Sequence, residues 1–267
     1  MKYKILCSDL DGTLLSSMSD VSDFTISEIS RIKQYLKVVL VSARMPTAIT
    51  YLQERMGLKN EPIICYNGAL VMEGKNEISS IVIGLELVKD IYKIAKELGI
   101  KIGLYHGNEW YAEENTEVIQ KEILYTKTCP FFRPVPDTLN KWEEIKLGAH
   151  KLMLMGRMES IDLIYEELRK AFDAQVIMYR SNEELIEVAP QHTSKLMGIQ
   201  KLLKPNQTMD DIIAFGDNYN DIEMLRGVGY AVAVGNARDE VKAISDYITL
   251  NNTEDGVAYF ISQYLNT

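Results

Sequence analysis

The sequence predicts an α/β protein, with a parallel-sheet core built from both ends of the chain and an inserted α+β domain between them. Three observations carry this. Over the first 82 residues, short apolar runs alternate with helix-periodic segments. From about Gly84 to Val188 the texture changes, with longer helical segments, scattered strands and a Pro-rich stretch at Cys129–Pro136. From Pro190 onward the first rhythm returns. Alternating β and α segments build parallel sheets covered by helices. The expected boundaries are 1–82 plus 189–267 for the core and 83–188 for the insert.

The elements follow in order. Tyr3–Ser8 is a compact apolar run ending in acidic and glycine residues. Thr25–Leu36 places Ile26, Ile29, Ile32 and Leu36 at helical spacing, with Ser22 or Thr25 to cap its start. Lys37–Val41 is β-branched and apolar, and Pro46 opens a second helix at a favoured first-turn position. Pro62–Cys65 is a third strand, closed by the turn dipeptide Asn67-Gly68. Within the insert, helices are expected at Leu85–Leu98, Thr116–Lys127 and Ser160–Phe172. Strands are expected at Lys101–Tyr105, Lys151–Met155, Gln175–Tyr179 and Glu184–Val188. The chain then returns through a helix at Thr193–Leu203, a strand at Asp211–Phe215 and a short helix at Asp221–Arg226. A strand at Tyr230–Val234 and a terminal helix at Asp255–Leu265 complete it.

Composition narrows the function classes. With 46% hydrophobic and 25% charged residues over 267 positions, the chain is ordinary for a globular protein with a sizeable core. The net charge is −9 and no basic stripe is present, so no nucleic-acid partner is expected. No apolar stretch approaches a membrane span, and the apolar run near the N-terminus is too short for a signal peptide. Three scattered cysteines do not make a disulfide framework; Cys7 and Cys65 read as buried small hydrophobes, Cys129 as more exposed. A reducing cytoplasm fits best. Nothing in the sequence chooses between a monomer and a homo-oligomer.

Four segments carry chemistry, and each stands at the end of a β-like run or the start of a helix. They are Asp9-Leu10-Asp11-Gly12-Thr13, Val41-Ser42-Ala43-Arg44, Lys195, and Gly216-Asp217-Asn218-Tyr219-Asn220-Asp221. In parallel sheets, ligands bind beyond the carboxyl ends of the strands, so such segments converge across long sequence distances. Gly12 allows close backbone approach, and Ser42 offers a hydroxyl and an N–H. A cluster of Asp9, Asp11, Asp217 and Asp221 calls for a cation, because two unit charges 4 Å apart repel by about 4 kcal/mol at an effective dielectric near 20. Oxygen ligands from carboxylates and an amide such as Asn218 suit Mg²⁺ and not zinc. Cys7 and His192 are the sole cysteine and histidine near these motifs, which argues against a Ser-His-Asp triad. Carboxylates with Mg²⁺, a lysine and a serine point to phosphoryl transfer, one carboxylate serving as nucleophile and another as acid and base.

Together, DLDGT, the strand-end Ser42, Lys195 and GDNYND resemble the haloacid dehalogenase superfamily of phosphatases. The insert between the second and third motifs looks like the large α/β cap of the Cof-type (subfamily IIB) sugar-phosphatase branch. Tyr66-Asn67-Gly68-Ala69 and Gly235-Asn236-Ala237 extend the likeness over the whole chain. The resemblance implies a Rossmann-like core and hydrolysis of small phosphate monoesters, such as sugar phosphates or phosphorylated cofactors, through a phospho-aspartate on Asp9. It implies Asp11 as general acid/base, and Mg²⁺ held by Asp9, the Asp11 carbonyl and Asp217, with Asn218 beside it. It implies phosphate contacts from Leu10, Ser42, Ala43, Lys195 and Asn220, with Asp221 orienting Lys195 or a metal-bound water and Gly12 and Thr13 in support. Two departures stand out. Thr-Gly-Arg is common in the branch where this chain has Ser42-Ala43-Arg44. A glycine usually precedes the lysine, where this chain has Gln191-His192-Thr193-Ser194.

Other readings stay open at single positions. Arg44 is either a substrate contact or half of an ion pair with an acid at the domain boundary. Asn67 is a substrate contact or a turn former, the turn being commoner before glycine. Taken alone, Lys195 reads as a solvated helix lysine and Ser42 as an N-cap. Arg180, with Tyr179, Asn182 and Glu183, is either substrate-selecting or an exposed hairpin turn, and His192 is a further substrate candidate. Two rivals remain for the whole chain: a phosphomutase, or a non-enzymatic phospho-aspartate switch.

Overall fold

The computed structural model describes residues 2–16 and 20–265. In chain order its elements are β1 (Ile5–Asp9), α1 (Asp23–Ile32), β2 (Lys37–Val41), α2 (Pro46–Met56), β3 (Pro62–Cys65), β4 (Leu70–Glu73) and β5 (Asn76–Ser80). Then come α3 (Leu85–Glu97), β6 (Lys101–His106), β7 (Glu109–Ala112), α4 (Glu117–Thr126), β8 (Phe131–Phe132), α5 (Val135–Glu144), β9 (Lys151–Met155) and α6 (Met158–Phe172). The hairpin β10 (Val176–Asn182) and β11 (Leu185–Pro190) precedes α7 (Lys195–Leu202), β12 (Ile212–Gly216), α8 (Ile222–Gly227), β13 (Tyr230–Ala233), α9 (Asp239–Lys242), β14 (Tyr247–Ile248) and α10 (Gly256–Tyr264). The chain divides into two compact units, Met1–Ser79 with Ser194–Thr267, and Ser80–Thr193.

The first unit is built on a sheet of order β14-β13-β12-β1-β2-β3-β4-β5. The strands from β14 to β3 run parallel, and β4 returns antiparallel to β3. Every residue of β1 is buried, as a central parallel strand with both faces covered requires. Register is pinned on both sides of it, Ile5 facing Ile212 on β12 and Lys37 on β2. Local signals set the helix starts. Ser22 Oγ accepts the Thr25 N–H at 3.0 Å, so Ser22 is the cap and Thr25 lies inside α1. Pro46 is the first residue of α2, which ends on Gly57 in the left-handed conformation. Ser194 caps α7 by accepting the Met197 N–H at 3.2 Å.

The second unit carries a sheet of order β10-β11-β9-β6-β7-β8. Its ladders are antiparallel except between β7 and β8. Its core joins Val88 and Ile91 of α3, Trp142 of α5 and Ile164 of α6 to the sheet residues Leu104, Leu152 and Val188.

Several elements lie outside the sequence reading. The Pro-rich stretch, expected as an interruption, contains the start of α5: Pro136 occupies its first turn, and Val135, Leu139 and Trp142 are buried one helical turn apart. The strands β4 and β5 continue the first sheet after the Asn67-Gly68 turn, and Glu73, Lys75 and Glu77 hide their alternation. Asp221 closes a tight turn over Tyr219–Asp221, and α8 begins at the next residue. Cys7 and Cys65 are buried and Cys129 is exposed. Among the described residues, no helix is long and apolar enough to cross a membrane.

Candidate active site

The candidate residues of the first unit gather at the carboxyl ends of β1, β2, β3 and β12. Asp9 is the last residue of β1. The chain then makes one wide turn over Leu10–Leu14, broken by Gly12 at φ 84°. Only glycine fits there: a Cβ on Gly12 would lie 2.6 Å from Asp217 Oδ2, and the left-handed backbone disfavours other residues besides. Glycine is equally forced at Gly68, the turn after β3, where φ is 96° and a Cβ would meet the Ser194 carbonyl oxygen at 2.1 Å. That bare backbone lets the start of α7 come close enough to place Lys195.

Lys195 is 1% exposed, and its Nζ donates to Asp9 Oδ1 and to Asp221 Oδ1, each at 2.6 Å. Asp221 is fully buried, and its second oxygen accepts the N–H groups of Asp217 and Asn218 at 3.0 Å each. Both oxygens of Asp221 are therefore engaged. Asp217 Oδ1 accepts the Thr13 hydroxyl at 2.9 Å. Asp9 Oδ2 is buried and has no hydrogen-bond partner among the described residues. Asp9, Asp217 and Asp221 each bring a carboxylate oxygen within 4.8 Å of the others.

Three carboxylates here share one ammonium, and proton affinities follow that imbalance. Burial raises the pKa of Asp9 well above the carboxylate range; Lys195 opposes this, while Asp221 and Asp217 reinforce it. Asp217 is pushed up to about 6, mainly by burial and then by Asp221. At Lys195, burial alone would lower the pKa, but Asp221 and Asp9 outweigh it and hold the ammonium firmly charged.

A second ion pair flanks this group. Arg44 grips Asp11 in a two-pronged fork, Nε donating to Oδ2 at 2.7 Å and Nη2 to Oδ1 at 2.5 Å. Of the two readings open for Arg44, the structure shows the ion pair, with a partner in the same unit. The arginine is buried, whereas the Asp11 side chain is 53% exposed. Ser42 Oγ accepts the Arg44 N–H at 3.1 Å. The Ser42 N–H, expected from sequence to be available, donates instead to the Ile64 carbonyl at 2.8 Å because β2 pairs with β3. Ser42 therefore offers its hydroxyl alone. Ala43, partly exposed, lies between the two.

Around the rim, Tyr66 and Asn67 both take left-handed backbone conformations, φ 51° and 54°, rare for such residues. The Asn67 N–H donates to the Ser42 carbonyl at 3.0 Å, and its Oδ1 accepts from Asn220 Nδ2 at 3.1 Å. Asn67 thus both forms the turn and faces the site. Asn218 Oδ1 accepts the Tyr219 N–H at 2.9 Å and caps the turn that ends on Asp221. Arg180 and His192 belong to the second unit. Arg180 binds Asp162 and the carbonyl of Asn182 in an exposed hairpin. His192 is exposed, with φ 60° in the turn after β11. Asn236 and Asn252, whose amides hold the Gly12 and Leu15 carbonyls, have no role legible in the sequence. The triplet around Asn236 was its one signal, and Asn252 had none.

These groups together supply a buried carboxylate with one free oxygen, a second carboxylate beside it, a lysine, a serine hydroxyl and an oxygen-only pocket for a hard cation. A family profile described as haloacid dehalogenase-like hydrolase matches residues 6–261. A crystal structure of a haloacid dehalogenase-like hydrolase from Bacteroides thetaiotaomicron superposes with a TM-score of 0.90 at 31% identity, over 98% of this chain and 99% of that one. The 5-amino-6-(5-phospho-D-ribitylamino)uracil phosphatase of Bacillus subtilis is 27% identical over 273 residues, 99% of this chain and 98% of its own length. A haloacid dehalogenase subclass IIB sugar phosphatase shares the fold, with a TM-score of 0.80 at 23% identity over 98% of both chains.

Proposed function

The chain belongs to the haloacid dehalogenase-like hydrolase family and is a phosphoric monoester hydrolase, and on that premise we propose that it cleaves small phosphate esters with Mg²⁺ through a phospho-aspartate on Asp9. The observation that carries this reading is the orphaned oxygen of Asp9. Leaving a buried acceptor unpaired costs about 1–3 kcal/mol, more when it is charged, and a fold tolerates it where a ligand or substrate completes the site. The residues fit a magnesium ion. The donors are carboxylate oxygens, Asp9 Oδ2 and Asp217 have ligand capacity to spare, and burial with mutual repulsion leaves the group short of positive charge.

Asp9 and Asp217, with the main-chain carbonyl of Asp11 and with Asn218 adjacent, would hold the ion. Bound there, Mg²⁺ supplies charge neutralisation for the phosphoryl oxygens. Asp9 attacks phosphorus, and the bond to the leaving oxygen breaks as Asp11, released from the Arg44 fork and protonated, donates its proton to the departing alkoxide. Asp11 then takes a proton from water, which attacks phosphorus and releases Asp9 and inorganic phosphate. Ser42 hydroxyl, Lys195, Asn220 and the backbone of Leu10 and Ala43 hold the phosphate oxygens. Asp221 orients Lys195, to which it is already bonded. The inserted unit is assigned the choice of leaving group, with Arg180 and His192 as its candidate contacts. Phosphorylated sugars and phosphorylated cofactors are the favoured substrates, in keeping with the relatives' names.

The test is phosphate release from a panel of sugar, nucleotide and cofactor phosphates, with Mg²⁺ and with chelator, together with a rapid acid quench after mixing with radiolabelled ester. Chelator-sensitive release and acid-stable, hydroxylamine-labile label on Asp9 are expected. Turnover indifferent to the chelator would sink the proposal. Label that passes to a second hydroxyl, with no free phosphate, would replace hydrolysis by mutase chemistry.

A further inference from the structure

The loops after β1, β12 and β13 are tied to one another although β13 and β1 are separated in the sheet by β12. The Thr13 hydroxyl binds Asp217 Oδ1 at 2.9 Å, and the Arg238 N–H binds the Asp217 carbonyl at 2.9 Å. Asn236 closes the circle. Its Nδ2 donates to the Gly12 carbonyl at 2.8 Å, while its Oδ1 accepts the Asn252 N–H at 2.8 Å. Asn252 in turn donates from Nδ2 to the Leu15 carbonyl at 2.8 Å. One exposed amide therefore holds the middle of the wide turn that carries Asp11 and Thr13, and a neighbouring amide holds its end.

The oxygen that Asn236 grips is mechanically significant. Gly12 has no side chain to anchor it, and its left-handed backbone lies directly against the Asp217 carboxylate. The peptide plane that follows it is rigid and trans, so fixing the Gly12 carbonyl also fixes the direction of the Thr13 N–H and the position of the Thr13 Cα from which its side chain starts. Thr13 is 1% exposed, and its hydroxyl orients Asp217. A chain of contacts thus runs from Asn236 through Gly12 and Thr13 to a carboxylate of the acidic cluster. An asparagine that merely decorated a surface loop would need neither the donor contact nor this endpoint.

We infer that Asn236 is a positioning residue for cation binding, acting through the Gly12 carbonyl and Thr13 to set the carboxylate of Asp217. The inference rests on the reading of Asp9 and Asp217 as the magnesium site. It requires the donor end of the amide specifically. Asn236→Asp keeps the acceptor for Asn252 but turns a second oxygen toward the Gly12 carbonyl, so it weakens Mg²⁺ at least as much as Asn236→Ala.

The test is calorimetric titration of the full-length protein and its variants with Mg²⁺ alone, with melting temperatures in chelator to show that each variant is folded. Both Asn236 variants are expected to raise the Mg²⁺ dissociation constant about tenfold, the lower end of what is lost with the outer partners of metal ligands. In a double-mutant cycle, Asn236→Ala adds little on a Thr13→Val background, because both break the same chain of contacts. Folded Asn236→Asp protein that binds Mg²⁺ like the wild type overturns the inference, as does full additivity with Thr13→Val. Wild-type protein that binds no Mg²⁺ takes down the metal-site reading itself and this inference with it, which separates the two failures.

Discussion

Asp9 sits where one ammonium serves three carboxylates, and this imbalance makes two substitutions informative in opposite directions. On the proposed mechanism Asp9→Asn removes the nucleophile and should lower turnover by several powers of ten, each worth about 1.36 kcal/mol of barrier. The same change removes the group whose ionisation is most opposed by burial and by Asp221 and Asp217. In chelator, the Asp9→Asn protein should therefore melt no lower than the wild type, and it should lack the rise in melting temperature that the proposed Mg²⁺ site predicts for the wild type. A metal-free melting point several degrees lower would contradict the crowding argument. Lys195→Met acts the other way. It strips the shared partner, itself 1% exposed, from the buried Asp9 and Asp221. Breaking a buried pair from one side costs about 3–5 kcal/mol, so the urea midpoint should fall steeply even in chelator. An unchanged midpoint would show that the two carboxyls simply take up protons when the lysine is gone.

Within the second unit, the segment just before β9 holds a group that titrates against folding. His150 is 1% exposed; its Nδ1 accepts the Gly107 N–H at 3.1 Å, which leaves Nε2–H to donate to Ser80 Oγ at 3.0 Å. A second proton has no place on a ring that is already accepting through Nδ1. Burial, and then the charge of neighbouring His106, lowers its pKa to about 3. The folded form therefore binds its proton more weakly than the unfolded chain, whose histidine titrates near 6.5. Stability from this group is complete above that value and declines as the pH falls toward the folded pKa, by at most about 1.4 kcal/mol per pH unit. Denaturant midpoints at pH 7 and pH 5 should differ less in His150→Gln than in the wild type; an equal difference would assign the acid sensitivity to other groups. The histidine's role is one the sequence concealed, since a lone histidine carries no periodic signal. The same contrast runs through the elements. α1 and α2 were legible because Ile26, Ile29 and Ile32, or a proline at the first position, are local signals. The helix α5 is hidden in the sequence although Val135, Leu139 and Trp142 mark its buried face, because prolines at a helix start look the same as prolines that break one. The strands β4 and β5 were missed because charged residues on an edge hairpin blur a period of two. At the site, Asp9, Asp11 and Asp217 could be named from strand-end position and residue type, whereas Lys195, at a helix start, could be named only through the family resemblance. The Asn236 to Gly12 bond could not, because it joins residues 224 positions apart through a main-chain oxygen.

At the scale of the whole chain, the carboxylates, lysine and serine of the site all belong to one of the two compact units, and each unit has its own sheet and core. A ligand that binds only the folded form stabilises the cooperative element that contains its site, by about 2.7 kcal/mol at a hundredfold excess over its dissociation constant. Mg²⁺ should therefore slow hydrogen exchange at the amides of β1, which ends on Asp9, and of β12 and β13, whose carboxyl-terminal loops carry Asp217 and Asn236. The amides of β6, β9 and β11 pair only within the second sheet. Their exchange should change little with the ion alone, since no carboxylate of the cluster lies in their unit. Exchange followed by mass spectrometry, with and without Mg²⁺ and again in Asp9→Asn, distinguishes the outcomes. Protection confined to the first unit and abolished by Asp9→Asn ties the ion to the acidic cluster. Equal protection across both sheets would mean that the chain unfolds as a single cooperative body, and the inserted unit would then share in the energetics of cation binding without supplying a ligand.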